Sequence, residues 1–334
     1  MSSTSTTNKA VFAITMGDPA GIGPEIAIKA LSDCRIKENV IIIGDISVLN
    51  DIYPKLNVSK PLNRISSTGE FKGDRINVLS LDIISSDDFE PGKVSAKCGL
   101  AAFRYIEKSI EMAKAGTIAG VITNPINKES LHLAGINFPG HTEIFAEKTG
   151  VKDFSMLFLL RNVGVAHVTT HCSVRNAIDL ISRDRVIATI HLLYRAMSQL
   201  GKKNPKIAVG GLNPHAGEGG LFGDEEIKYI IPAIDVCKKD GLNVSGPYPP
   251  DTVFMRAFKG EFDGIVAMLH DHGFVALKSL DFEHGVNITI GLPIIRTSVG
   301  HGTAFDLVNK GIASAESLID AINAANLLYI NRNI

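Results

Sequence analysis

Along the chain, short uninterrupted apolar runs alternate with stretches in which apolar residues recur every three or four positions. The runs 10–15 (AVFAIT) and 40–44 (VIIIG) have the length and composition of buried strands, and helical patterns follow at 26–31 and 46–53. Further runs predict strands at 76–81, 119–123, 155–160, 163–170, 206–212, 265–269 and 285–291. Over 99–116, Leu100, Phe103, Ile106, Ile110 and Ala113 mark one face of a long helix that Gly116 ends. Other helices are expected at 127–134, 144–149, 175–181, 185–200, 225–238 and 315–326. The stretch 54–95, punctuated by Gly, Pro and Ser, predicts irregular hairpins and no chemistry. Strands and helices in alternation specify an α/β protein.

Length and charge narrow the classes of function. The 334 residues exceed one ordinary domain and suggest two lobes, the second beginning near 126. Lys and Arg number 34 against 35 Asp and Glu, so a net charge of −1 gives no electrostatic reason to expect nucleic acid or an anionic membrane as partner. Cys34, Cys98, Cys172 and Cys237 form no CxxC pair, which argues against a disulfide framework or zinc knuckle and fits a reducing cytoplasm. Residues 1–9 lack a basic start followed by an apolar core and read as a short mobile tail; no stretch approaches the roughly 18 apolar residues of a spanning helix.

The candidate chemistry collects after apolar runs. The run at 265–269 ends in His270, Asp271 and His272, with Gly273 expected as the flexible exit of a loop and Lys278 further on. In open α/β sheets ligands gather at such strand ends. His171 follows the run at 163–170 and His215 the run at 206–212, and three neutral imidazoles converging from strand ends suit a divalent transition metal. The alternative for each is a hydrogen-bonded core or loop histidine. Lys278, Asn287 and Arg296 suit a phosphate or carboxylate, the alternative being ordinary surface pairing. Gly140-His141-Thr142-Glu143 lies where a helix begins, a natural anion site or a helix capped by Thr142. The turn 16–25 (MGDPAGIGPE) is either a ligand loop or a structural turn, and it is not GxGxxG. Asp251 sits in a proline-rich loop at 246–252.

ITMGDPAGIGPE at 14–25, GHTE at 140–143, TTH at 169–171, NPHAGEGG at 213–220, LHDHG at 269–273, and GVNITIGLPIIRTS with HGTAFD up to Asp306 together resemble the 4-hydroxythreonine-4-phosphate dehydrogenase family. The resemblance runs in order through nearly the whole chain. It implies a two-lobed isocitrate/isopropylmalate dehydrogenase-like fold with the active site in the interlobe cleft: 1–125 with 300–334 on the cofactor side, and 126–299 for metal, substrate and dimer interface. It further implies a homodimer in which His171, His215 and His270 bind a divalent ion (Zn, Mg, Mn or Co), the set being completed across the dimer. His141, Thr142, Lys278, Asn287 and Arg296 would hold a phosphorylated substrate. Gly17, Asp18, Gly21, His301, Gly302, Thr303 and Asp306 would line NAD, with NADP the alternative, and Lys278 and Asp251 are the catalytic candidates.

The implied reaction is oxidation and decarboxylation of a 4-phosphorylated 3-hydroxy acid: 4-phosphohydroxy-L-threonine, on the way to pyridoxal phosphate, or D-threonate or D-erythronate 4-phosphate, the substrates of a family branch that the stretch 278–283 resembles. Three positions depart from the pattern: His272 replaces a glutamine, Gly300 an aspartate and Asn309 a glycine. A metal-dependent hydrolase or lyase would use the same histidines to activate water but leaves the first loop and 301–306 without a purpose. A silent metabolite-binding protein is the third class.

Overall fold

A computed structural model describes residues 10–281 and 284–333, so the expected tail at 1–9 and Phe282 and Glu283 of the substrate-branch stretch lie outside the described residues. The first part of the chain runs β1 (Val11–Thr15), α1 (Gly23–Ser32), β2 (Asn39–Gly44), α2 (Ile46–Ile52), β3 (Leu62–Ile65), β4 (Ile76–Ser80), α3 (Ala96–Lys114), β5 (Gly120–Thr123), α4 (Lys128–Leu133) and α5 (His141–Thr149). It continues through β6 (Ser155–Leu160), β7 (Val163–His167), α6 (Val174–Leu180), α7 (Arg183–Gln199), β8 (Ile207–Gly210), α8 (Ile231–Lys239), β9 (Val244–Tyr248) and α9 (Val253–Phe258). Last come β10 (Gly264–Ala267), α10 (His270–Leu280), β11 (Val286–Ile290), β12 (Arg296–Val299) and α11 (Glu316–Ile330). The chain forms two compact units, one up to His141 together with Ile294–Asn326, the other Thr142–Pro293 with the chain from Leu327 onward.

In the first unit the strand order is β3-β4-β2-β1-β5-β12, and every pairing is parallel. Parallel strands are covered on both faces, which is why β1 and β2 read as continuous apolar runs. Helix α3 starts at Ser95, whose hydroxyl accepts from the Cys98 N–H, and buries Tyr105, Ile106 and Ile110. Gly99 lets α4 approach, because a Cβ there would lie 2.1 Å from the Ser130 carbonyl oxygen. The hairpins expected over 54–95 are not formed: β3 and β4 are parallel neighbours.

The second unit has the order β11-β6-β7-β10-β8-β9, antiparallel through β11, β6 and β7 and parallel from β7 onward. Its core contains Phe158, Val165, Phe262, Ile265, Phe274 and Leu277. The expected loop after 265–269 is instead α10, which begins at His270 itself. Gly273 is therefore a helix-interior residue. A Cβ there would lie 2.3 Å from His167 Nε2, so its smallness sets how closely α10 sits on β7. One residue on, Phe274 stacks on the His167 ring at 4.9 Å and meets Phe158 edge-on at 5.2 Å.

Gly273→Ala is expected to destabilise the protein by about 1–3 kcal/mol through overpacking against His167. Gly73→Ala, where an added Cβ meets nothing within 4 Å, is expected to stay within about 0.5 kcal/mol. Denaturant unfolding of the two variants checks the pair.

Candidate functional site

None of the three strands ends on the histidine expected of it. β7 stops at His167 with His171 four residues later, His215 lies in a turn beyond β8, and His270 opens α10 after β10. His171 and His270 nevertheless come together in the second unit, with ring centroids 5.8 Å apart. His270 Nδ1 is 2.7 Å from Asp271 Oδ1, and this bond holds the Asp271 carboxyl below its ordinary value. His171 Nδ1 is 3.6 Å from Glu143 Oε1, and His215 Nδ1 is 3.0 Å from Glu218 Oε2. For His270 and His215 a carboxylate bonded at Nδ1 leaves Nε2 as the donor atom, the arrangement by which metal-binding histidines are oriented, while Glu143 is too far from His171 for a direct hydrogen bond. The donor chemistry thus fits a divalent ion, yet among the described residues no three His, Cys, Asp or Glu side chains are grouped to hold one. His215 does not join the other two within the chain.

His167, which the apolar run concealed, lies behind this pair. Burial, reinforced by His270, pushes its imidazole down to about 3, so it is a neutral packing surface. It helps line a cavity of about 30 Å³, room for water, with Thr142, Glu143, Ser155, His171 and Arg185. His272 is also shifted down by burial, against the pull of Asp271, so the residue at the departure from the family pattern adds no charge beside His270 at neutral pH.

The turn carrying His215 is left-handed: φ is 53° at His215, 54° at Ala216, 80° at Gly217, 43° at Glu218 and 67° at Gly219. The left-handed helical conformation costs roughly 1–2 kcal/mol per non-glycine residue, and three of these are not glycine. Opposing that cost is Glu226, buried at 2% exposure in a π-turn (Glu226–Ile230) ahead of α8. Its carboxylate accepts from the N–H groups of Leu212 at 2.7 Å and Asn213 at 2.8 Å and from Asn213 Nδ2 at 2.9 Å. Hydrogen bonds to a charged group contribute about 1.5–3 kcal/mol each, enough to balance the strain. The only trace of Glu226 in the sequence is an acidic residue following a glycine-rich turn.

The anion-binding candidates divide at the unit boundary, which falls between His141 and Thr142. His141 opens α5, and burial together with the positive charge of Arg296 holds it neutral, well below the usual imidazole range. Its Nε2 is enclosed with no hydrogen-bond partner among the described residues. Arg296, expected after the last strand, lies in β12, is 2% exposed and donates to Thr123 Oγ1 at 2.7 Å. In the second unit Thr142 Oγ1 is 3.4 Å from Thr289 Oγ1, while among the described residues Asn287 Nδ2 meets the Met156 sulfur at 3.5 Å and its Oδ1 has no hydrogen-bond partner. Lys278 is exposed on α10 with Nζ 5.3 Å from the Phe274 ring centre. Asp251 is exposed between β9 and α9, two elements not anticipated from the sequence.

The cofactor candidates gather in the first unit. Gly17 has φ +79° and packs so closely on Pro125 that a Cβ would lie 2.4 Å from its carbonyl oxygen. A Cβ on Gly21 would lie 3.1 Å from Thr303, whose carbonyl accepts from the Ile22 N–H at 3.0 Å. Glu25, in the first turn of α1, binds Lys29 at 2.7 Å and accepts the Ala313 N–H, while Lys29 donates to the carbonyls of Gly311 and Ala313. His301 Nδ1 is 3.0 Å from the Gly302 carbonyl oxygen, and burial lowers its pKa. Asp306 is exposed in a 3-10 turn, Phe305–Leu307. Asn309, where the pattern has glycine, has φ +63°, a conformation asparagine tolerates.

A model of the family described as pyridoxal phosphate biosynthetic protein PdxA matches residues 36–325. The chain belongs to the PdxA family. Two relatives carry the name "Putative D-threonate 4-phosphate dehydrogenase". One, from Clostridium botulinum, is 44% identical over 319 residues, 94% of this chain and 96% of the relative. The other, from Oceanobacillus iheyensis, is 46% identical over 323 residues, 95% and 97%. A crystal structure of 4-hydroxythreonine-4-phosphate dehydrogenase from Klebsiella pneumoniae is 42% identical, covers 96% of this chain and 99% of its own, and superposes with a TM-score of 0.85. As a PdxA family member the protein is an NAD-dependent dehydrogenase of α/β fold. No helix among its described residues is long and apolar enough to cross a membrane.

Asp18 supplies a pH signature. Burial raises its carboxyl to about 6, against the hydrogen bonds from Ala20, Ser130 and Asn127. An acid whose folded pKa lies above its unfolded value near 3.8 stabilises the fold when protonated, and that contribution is lost as pH rises through about 6. Asp18→Asn mimics the protonated form. Its stability relative to wild type is expected to rise between pH 4 and pH 7, as read by denaturant unfolding at both pH values; a gap that does not change with pH contradicts the assignment.

Proposed function

We propose that the protein oxidises and decarboxylates a 4-phosphorylated four-carbon 3-hydroxy acid, with D-threonate or D-erythronate 4-phosphate as substrate and dihydroxyacetone phosphate as product. The observation that carries the reading is the His171–His270 pair, with Asp271 bonded to His270 Nδ1 so that Nε2 is left for a metal and Glu143 near His171 Nδ1 at 3.6 Å. The names of the two full-length relatives favour the sugar-acid phosphate. The name of the Klebsiella structure supports a second reading, 4-phosphohydroxy-L-threonine giving an amino-oxopropyl phosphate.

Gly17, Asp18, Gly21, His301, Gly302, Thr303 and Asp306 would hold NAD, which would supply the acceptor for the hydride from C3 of the substrate. Lys278, with Asp251 as the second candidate, takes the proton of the C3 hydroxyl. The 3-oxo acid then loses C1 as carbon dioxide, and C2 takes up a proton. His171, His270 and His215 would hold a divalent ion, which would supply a Lewis acid for the developing oxyanion; an all-imidazole set would favour Zn or Co over Mg or Mn. The candidates for the phosphate are His141 and Arg296 in the first unit, Arg296 providing the charge and the neutral His141 a directional hydrogen bond, and Thr142 and Asn287 in the second. Since His215 stands apart within one chain, a second copy supplies it. Leu221, Phe222 and Ile227, exposed beside its turn, suit a covered surface.

NADH absorbance measured on both substrate types, with and without chelator, tests this function. Metal-dependent NADH formation on the sugar-acid phosphates is expected; turnover without NADH would sink the dehydrogenase mechanism. His215→Ala and His171→Ala are each expected to lower kcat/KM by more than about 100-fold, and wild-type rates in either would remove it from the metal site.

A further inference from the structure

We infer that Glu226 is a positioning residue whose buried carboxylate locks the left-handed turn 215–219 and thereby aims His215; the inference rests on the reading of His215 as a metal ligand. Glu226 touches neither substrate nor metal. It sits behind the turn and gathers both backbone N–H groups where the chain leaves β8, together with the Asn213 amide. The turn is built around it. An added Cβ on Gly217 would lie 2.7 Å from Glu226 Oε2, and one on Gly211 would lie 3.0 Å from Oε1. Neighbouring Glu225 accepts from the Asn213 side chain at 2.7 Å.

A carboxylate accepts at both oxygens, whereas a glutamine amide turns an N–H group toward one side. In Glu226→Gln the carbonyl oxygen can still accept from the Leu212 and Asn213 N–H groups, but the NH2 then faces Asn213 Nδ2, donor against donor, and the neutral amide binds the two backbone N–H groups less strongly than the carboxylate, so the left-handed geometry at His215 and Ala216 loses part of its counterweight. An outer-shell change of this kind is expected to weaken metal binding by about 10–100-fold.

The test is titration of the metal-free full-length protein with Co²⁺, followed by visible absorption, with His215→Ala alongside. Glu226→Gln is expected to raise the Co²⁺ dissociation constant by about 10–100-fold. Ala216→Gly, which makes a left-handed residue inexpensive, is expected to recover part of that loss in the double variant. If His215→Ala loses Co²⁺ while Glu226→Gln binds as wild type, or if the double variant recovers nothing, the positioning role is overturned and the metal site stands. Wild-type Co²⁺ binding by His215→Ala overturns the metal reading itself. If Glu226→Gln does not fold, Asn213→Ala carries the test by removing one of the three donors while keeping the carboxylate. A several-fold weaker affinity supports the role and an unchanged one overturns it.

Discussion

The seating of α10 on β7 is the contact on which the histidine pair depends. Gly273 has no side chain to hold the helix off His167, and Phe274 lies flat on the same ring, so the helix meets the strand at one height and one rotation. His270, three residues before Gly273, is then presented at the first turn of α10, facing His171 beyond the end of β7. His167 can serve as packing because burial keeps it uncharged. An imidazolium there would bring a second positive charge to within 6.1 Å of the His270 ring centre, against any bound cation.

The same economy recurs in the other candidate residues. His141, His272 and His301 are all held toward the neutral form by burial, so the fixed positive charge near His141 comes from Arg296. Strain appears where function is proposed: the turn at His215 is left-handed through five residues and is anchored by a buried carboxylate. In the first unit, Gly17 and Gly21 bring the loop after β1 against Pro125 and Thr303, joining segments far apart in sequence.

The apolar runs were legible because parallel strands bury both faces, and β1, β2, β5, β6, β8 and β11 lie where they were expected. The stretch after β10 was misread because His-Asp-His-Gly looks like a loop, whereas Asp271 at a helix start and a glycine required by packing are both compatible with α10. Strand β12 (RTSV) carries a single aliphatic residue and is buried through its pairing with β5 and the Arg296–Thr123 bond. Strand β9 contains Gly and Pro, and β3 contributes only two apolar residues at the sheet edge. The motifs drew attention to the histidines and Arg296, and Asp271 adjoins its partner His270 in sequence, but the approach of Glu143 to His171 and the bonds of Glu226 to Leu212 and Asn213 depend on tertiary neighbours that spacing does not reveal.

The central claim is that one chain supplies His171 and His270 and a second copy supplies His215. Mixing His270→Ala and His215→Ala subunits, each inactive alone, tests it most directly. In a mixed dimer one site receives both substitutions and the other neither, so NADH formation is expected to return in proportion to the mixed dimers formed. No recovery from dimers shown to have exchanged subunits would contradict the shared site.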